Sequence, residues 1–221
     1  MNRYTILIPI NDEKDSIPSL IDNLEQYAKD HHQIIVIDDG STDGSTEILK
    51  KCNFINLICL KNNKGKGVAL KTGLLKAKYN KVIIFDGDLE LNPSDISKLM
   101  ILNRNNSIRN VFASRYEKLF PLSSFWDFGN YFFTTLFNLI NNTEVIDALC
   151  CFKAFYINDL DIKKLEATKF DIDVEIAAKL VQNNYPISNI LVKYNRRSKL
   201  EGKKLNMTDG WSIFKRILKN K

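Results

Sequence analysis

The sequence predicts an α/β protein: a mostly parallel sheet flanked by helices, with apolar and amphipathic helices in its C-terminal half. Three observations predict this. Short β-branched runs, QIIVID at 33–38 and KVIIFD at 81–86, have the continuous apolar character of strands covered on both faces. Segments with helical spacing lie between such runs, and that alternation implies right-handed crossovers between parallel strands. Both runs end in acids, and open sheets of this kind bind ligands beyond the carboxyl ends of their strands.

In chain order, strands are expected at Tyr4–Ile10, Gln33–Asp38, Phe54–Leu60, Lys81–Asp86 and Arg109–Ser114. Ile17, Leu20, Ile21, Leu24 and Ala28 share one helix face, and Ser16 is placed to cap that helix. Residues 61–71, KNNKGKGVALK, form a basic, glycine-containing lead-in to a second helix, and lysines at a helix N-terminus suit a phosphate. The stretch has neither the GxxxxGK[ST] of a P-loop nor the GxGxxG of a dinucleotide fold. Asn92 and Pro93 are a cap and first-turn pair for a helix over Asp95–Leu102.

The segment Ser124–Asn141 carries one charge, Asp127. Asp127, Asn130, Thr134 and Asn138 make a single polar stripe on an otherwise apolar helix. Such a helix is sunk in a core, or meets a membrane, a partner or a homodimer seam. The last helix, about Thr208–Lys219, places Trp211, Phe214 and Leu218 on one face, and Lys215, Arg216, Lys219 and Lys221 make it basic. That pattern suits an anionic membrane surface, a solvated basic face being the commoner case.

A chain of 221 residues, 44% hydrophobic and 26% charged, suits one domain with a substantial core. Its net charge of +6 favours anionic partners without choosing among them. None of the four cysteines has metal-ligand spacing, and adjacent Cys150 and Cys151 are poorly placed to bridge each other. Reduced thiols and the lack of a signal-peptide pattern suggest a cytoplasmic protein. No apolar run reaches the roughly 20 residues of a membrane span. A peripheral position on the inner face of the cell membrane fits these features. No nucleic-acid motif is present, so no nucleic-acid partner is expected.

Two acid pairs carry the chemistry. Asp86 and Asp88 stand at i and i+2 of a strand end, so both carboxylates point the same way and suit Mg²⁺ or Mn²⁺ completed by substrate phosphates. Gly87 between them lets a ligand come close to the backbone. Asp38 and Asp39, followed by GSTD, can accept hydrogen bonds from a ribose or a base, with a turn and N-cap as the competing reading.

IPINDE at 8–13, VIDDGSTD at 36–43, NKGKGVAL at 63–70, FDGDLELNP at 85–93, ASRY at 113–116, DALCCFKAF at 147–155 and KFDIDVEIAAK at 169–179 occur in an order that resembles the family 2 glycosyltransferases of the GT-A fold. They are similar in particular to the branch related to dolichyl-phosphate mannose synthase. The resemblance implies one domain over 1–221: a nucleotide-sugar and metal half at 1–116, then an acceptor half at 117–221 with a mobile loop at about 195–207. It implies inverting, metal-dependent transfer from a nucleoside-diphosphate sugar to a polyprenyl phosphate, with a hydroxyl of a growing glycan as the alternative acceptor. A non-catalytic nucleotide-binding protein is the reading from another class, and the presence of Asp86, Asp88, Arg197 and Lys204 weighs against it.

By the same resemblance Pro9, Glu13 and Asp39 flank the nucleoside, Asp86, Gly87 and Lys204 meet the diphosphate, and Asp86, Asp88 and Glu90 surround Mg²⁺ or Mn²⁺. Arg115 meets the acceptor and Arg197 the leaving group. A hydroxyl acceptor needs a base, for which Asp147 leads Asp171, Asp173 and Glu175; a helix or turn cap is the competing role for Asp147.

Overall fold

Residues 2–118, 125–197 and 207–219 are described by a computed structural model. Seven strands form one sheet: β1 (Tyr4–Ile10), β2 (Gln33–Asp38), β3 (Asn56–Cys59), β4 (Lys81–Ile84), β5 (Asn110–Ser114), β6 (Lys153–Tyr156) and β7 (Ile187–Leu191), in the order β3-β2-β1-β4-β6-β5-β7. The helices are α1 (Ile17–Lys29), α2 (Ser45–Leu49), α3 (Lys66–Leu74), α4 (Phe125–Asn141), α5 (Ile172–Val181) and α6 (Met207–Lys219).

Alternation along the strands explains the two-sided core. In β1, Ile6, Ile8 and Ile10 face a cluster that holds Ile17, Leu20 and Leu24 of α1, while Leu7 faces Leu70 of α3 and Ile176 of α5. β2 and β4 divide the same way, so their runs read as continuously apolar.

The chain winds outward from β1 through β2 to β3, then returns to lay β4 on the other side of β1, with β1 parallel to both neighbours. The carboxyl ends of β1 and β4 are therefore a topological switch point. β6 breaks the parallel order, running antiparallel between β4 and β5 with Ile84 opposite Lys153. That reversal carries the residues before β6 to the same sheet end as Asp86.

β6 and β7 were not expected, and several bounds moved. β3 lies at the sheet edge and is paired only with β2, so it keeps just the residues in register there. β4 stops at Ile84, although the Phe85 amide still donates to the Leu7 carbonyl at 3.0 Å. Ser16 is already helical and makes no side-chain cap. The helix expected over Asp95–Leu102 is a 3₁₀ helix at Pro93–Leu99 whose Asn92 cap accepts from the Ser94 amide at 3.0 Å. Ile96, Leu99 and Leu102 are buried at a spacing of three, the period of a 3₁₀ turn.

α4 occupies its expected place, but its polar stripe turns inward. Asp127 and Thr134 are buried, whereas Phe128, Phe132 and Leu139 face out. In α6, Ile213 and Ile217 are buried, while Trp211 and Leu218 are exposed. Among the described residues no helix is long and apolar enough to cross a membrane.

Candidate active site

A cleft of about 520 Å³ opens at the switch point. Pro9, Ile10 and Glu13 from the end of β1, Asp39 from β2, Lys66 from α3 and Asp86 to Glu90 after β4 line one side. Arg115, Asn130, Cys150, Asp173, Arg196 and Arg197 belong to the same lining, with Asp209 and Ile213 of α6.

At the end of β2 the acids hold the loops in place. Asp38 accepts from the Ser41 amide at 2.9 Å and from the Thr46 hydroxyl, which fixes the turn after β2. Asp39 accepts from the Lys64 and Gly65 amides at 2.8 and 2.7 Å, one on each oxygen. A carboxylate oxygen has room for a second bond, so Asp39 can still accept from a ligand hydroxyl. The competing turn reading is thus the role Asp38 plays, while Asp39 lines the cleft.

The loop that Asp39 fixes aims a side chain not singled out above. Gly67 donates its amide to the Thr168 carbonyl at 2.9 Å. A Cβ on Gly65 or Gly67 would come within 2.3 or 2.4 Å of the carbonyl oxygens of Thr168 and Ala167, so only glycines allow this approach. Pressed there, the start of α3 directs Lys66 into the cleft. Its Nζ lies 2.9 Å from Asp86 Oδ2 and 2.8 Å from Asp173 Oδ2, with the side chain 9% exposed. The two carboxylates hold the Lys66 ammonium well above its usual pKa, against the burial that opposes it. Asp173 Oδ1 is buried without a hydrogen-bond partner. The signal in the sequence was a lysine between two glycines in KGKG, which pointed to a phosphate but not to Asp86.

Asp88 lines the cleft beside Asp86. Burial, then the charges of Asp86 and Glu90, push its carboxyl up to about 7. Seven aspartate and glutamate side chains line the cleft against five lysine and arginine side chains. That surplus, and hard oxygens at a strand end, fit a divalent cation completed by substrate phosphates. Among the described residues no group of three or more His, Cys, Asp or Glu side chains is already gathered to hold a metal ion, Asp86, Asp88 and Glu90 included. Glu90 instead accepts from the Arg197 amide at 3.0 Å, while its carbonyl accepts from the Asn195 amide at 2.8 Å. Gly87 is required by packing, since a Cβ there would lie 2.5 Å from Ile10 Cγ2, and it lines the cleft.

On the far side Arg115 and Asp147 form a two-point pair, Nε to Oδ2 at 2.7 Å and Nη2 to Oδ1 at 2.8 Å. Asp147 also accepts from the amides of Arg115 and Cys150 at 3.2 and 3.1 Å and is 1% exposed. Fully engaged and outside the cleft lining, it is poorly placed to act as a base. The turn-cap role describes it, and it positions Arg115. Glu175 accepts from the Glu166 and Ala167 amides, and with Asp171 it pairs with Arg216, so both tie α5 to α6. Asp173 alone of the weaker candidates lines the cleft. Arg197 reaches Glu13 at 2.7 Å and Arg196 pairs with Asp127. Lys204 lies outside the described residues.

A parallel-sheet domain with an acidic, cation-rimmed cleft at its switch point is the build of an enzyme that handles nucleotide sugars. Residues 5–160 match the family described as glycosyl transferase family 2, and the chain belongs to that family. It is 31% identical over 130 residues to the undecaprenyl-phosphate 4-deoxy-4-formamido-L-arabinose transferase of Yersinia pestis (strain Pestoides F), a match over 54% of this chain and 40% of that protein. The Yersinia pseudotuberculosis protein of the same name (serotype I, strain IP32953) matches equally. The chain thus spans well under half the length of these curated relatives.

The glucosyl-3-phosphoglycerate synthase of Mycobacterium tuberculosis superposes with a TM-score of 0.76 at 17% identity, covering 99% of this chain and 80% of that one. Its complex with Mn²⁺, UDP and glucosyl-3-phosphoglycerate gives 0.74 at 16% identity, covering 99% and 79%. At that identity the likeness shows the fold, which is GT-A.

Proposed function

We propose that this family 2 glycosyltransferase moves a sugar from a nucleoside-diphosphate sugar, with a divalent metal ion, to a lipid-linked polyprenyl phosphate, with inversion at the anomeric carbon. The observation that carries the reading is the pair Asp86 and Asp88 at the switch point, in a cleft lined by more carboxyl groups than cations. The Mycobacterium enzyme, with Mn²⁺ and UDP in its complexes, supports the donor, and the Yersinia transferases, by name, support the acceptor.

In this reading Pro9, Glu13 and Asp39 hold the nucleoside and Asp86 and Asp88 hold the metal. The ion, when bound, offsets the charge that develops on the departing nucleoside diphosphate. Arg197 and Lys66 add positive charge beside the same oxygens, which is electrostatic stabilisation of a leaving group. The bond from the anomeric carbon to the diphosphate oxygen breaks and its electron pair leaves with the nucleotide. A bond from the acceptor oxygen forms on the opposite face. A phosphate acceptor is already anionic, so Arg115, held rigid by Asp147, needs only to orient it.

A glycan hydroxyl is the second reading, and one observation favours it: Asp173 lines the cleft and has an oxygen, Oδ1, without a hydrogen-bond partner. A thermal-shift panel of UDP, GDP, CDP and dTDP, with and without Mn²⁺, tests the donor site. Stabilisation by one diphosphate that requires metal and is lost in Asp88→Asn is the expected result. No response from a well-folded sample would sink the proposal. Transfer to undecaprenyl phosphate in detergent, scored against a soluble glycan, separates the acceptors.

A further inference from the structure

We propose that Cys150 and Cys151 form a dithiol site in the cleft that binds trivalent arsenicals, soft acceptors satisfied by two sulfurs, in competition with the nucleotide. The dithiol site goes beyond the transferase reading, and only the competition rests on it.

The four cysteines are free thiols: Cys52 is half-buried, Cys59 exposed, and Cys150 and Cys151 buried. Only the last two line the cleft. They are 2% and 6% exposed, so a reagent meets them from the cleft rather than from open solvent. Neighbouring side chains of an extended strand point to opposite faces. Cys150 and Cys151, just before β6, depart from that rule: both pack in the core cluster beneath α1, and both reach the cleft.

The segment that carries them is clamped. The Cys150 amide donates to Asp147 Oδ1 at 3.1 Å. Buried Lys153 donates through Nζ to the Ala148 carbonyl at 3.3 Å and to the Cys150 carbonyl. Phe152 meets Phe85 edge-on, with ring centres 5.2 Å apart. A pair fixed in this way loses little freedom when a ligand bridges it. The sulfurs also differ. The Cys151 thiol, acting as donor, lowers the Cys150 pKa, and the charges of Arg115 and Lys153 add to that; the same donation, then burial, raises Cys151. Cys150 is therefore the attacking sulfur and Cys151 the one that closes the ring.

Geometry selects the ligand. Adjacent Cα atoms stand about 3.8 Å apart across a trans peptide. Disulfides prefer roughly 4.4–6.8 Å, so a direct S–S bond suits this pair poorly, and an interposed atom relaxes the demand. Among the described residues no third His, Cys, Asp or Glu joins the two in a metal-holding group, so the four-ligand shell of zinc is not supplied. Trivalent arsenic that carries one organic group needs only two sulfurs. Starting from its dihydroxy form, two As–O bonds break and two As–S bonds form. The thiol protons leave with the oxygens as two waters, and arsenic stays trivalent. Cys151 feels the charges of Asp86 and Lys66, and Lys66 Nζ is 5.9 Å from the Phe170 ring centre. The bound group thus stands beside the proposed metal carboxylate, where Leu149, Phe170 and Val174 of the lining give its organic part apolar surface.

The probe is phenylarsine oxide, added to the full chain carrying Cys52→Ser/Cys59→Ser so that only the pair remains. Intact-mass spectrometry and thiol titration should find one phenylarsenic per chain and two thiols consumed. The adduct should survive excess glutathione and be released by 2,3-dimercaptopropanol. Cys150→Ala or Cys151→Ala in the same background should bind at least about a hundredfold more weakly, because the second bond is no longer intramolecular. Melting curves check that these variants fold, and if one does not, the thiol count on the parent chain decides. Consumption of one thiol or none, or unchanged affinity in a folded single-cysteine chain, overturns the proposal. The diphosphate that stabilises the protein with Mn²⁺ should slow labelling. An unchanged rate at saturating nucleotide places the thiols outside the donor site and also overturns it. Two-thiol binding with no thermal response to UDP, GDP, CDP or dTDP removes the donor reading and leaves the dithiol site. A nucleotide response without two-thiol binding does the reverse.

Discussion

Replacing Lys66 by methionine removes the cation that joins Asp86 to Asp173 and leaves a buried carboxylate facing a partly exposed one. Lys66 is 2.9 and 2.8 Å from them and almost wholly enclosed, so solvent does little to replace it. Breaking a buried pair by deleting one partner costs about 3–5 kcal/mol. In a chain of this size each kcal/mol moves the melting temperature by about 2–4 °C, so metal-free Lys66→Met should melt roughly 10 °C lower. A divalent ion at Asp86 restores the missing positive charge, so Mn²⁺ should raise the melting temperature of the variant more than that of wild type. Lys66→Arg, which keeps a cation, should fall between the two. Differential scanning calorimetry in EDTA and in millimolar Mn²⁺ reads all three proteins. If Lys66→Met melts with wild type in EDTA, or gains no more from Mn²⁺ than wild type does, Lys66 is not the counter-ion of this site and the charge argument fails.

Asp147→Asn should destabilise the fold by about 3 kcal/mol or more by stranding buried Arg115, and Arg115→Met should recover much of that in the double variant. A stable, inactive Asp147→Asn, measured by urea unfolding, would instead favour a base. Gly87→Ala should cost about 1–3 kcal/mol from the contact with Ile10, and Ile10→Ala in the same chain should relieve the clash, as denaturation midpoints will show. His32 Nδ1 accepts from the Tyr4 amide at 3.0 Å, and burial lowers its pKa below the usual histidine value. The unfolded chain then binds the proton more readily, so stability is lost as pH falls through the ordinary histidine range. Melting curves across that range should show a smaller acid loss in His32→Asn, which keeps an acceptor for the same amide; parallel curves would refute the assignment.

Much of the first half of the chain was legible because its signals are local. Apolar runs such as QIIVID report burial on both faces, and an acid pair one residue apart at a strand end reports a shared direction. Switch-point placement of those acids then follows from parallel topology alone. β6 was not legible: KAFY is only four residues long, and its antiparallel entry between β4 and β5 is decided by pairing with strands distant in sequence. Lys66 was visible as a phosphate-suited lysine, yet its partner Asp173 lies 107 residues away. Asp147 shows the opposite case, since a motif suggested chemistry and the fold consumed both of its oxygens in holding Arg115.

The sequence by itself determined the strand–helix alternation, the acid pairs at strand ends and the existence of a polar stripe on α4, because each is a periodicity within one element. Which way that stripe faces was settled only by tertiary structure. Tyr116, Val145 and Ala148 supply partners for Asp127, Asn138 and Thr134 on the inner side, and a buried polar group goes where its hydrogen bonds are. The phenylalanines were left to face out by the same choice.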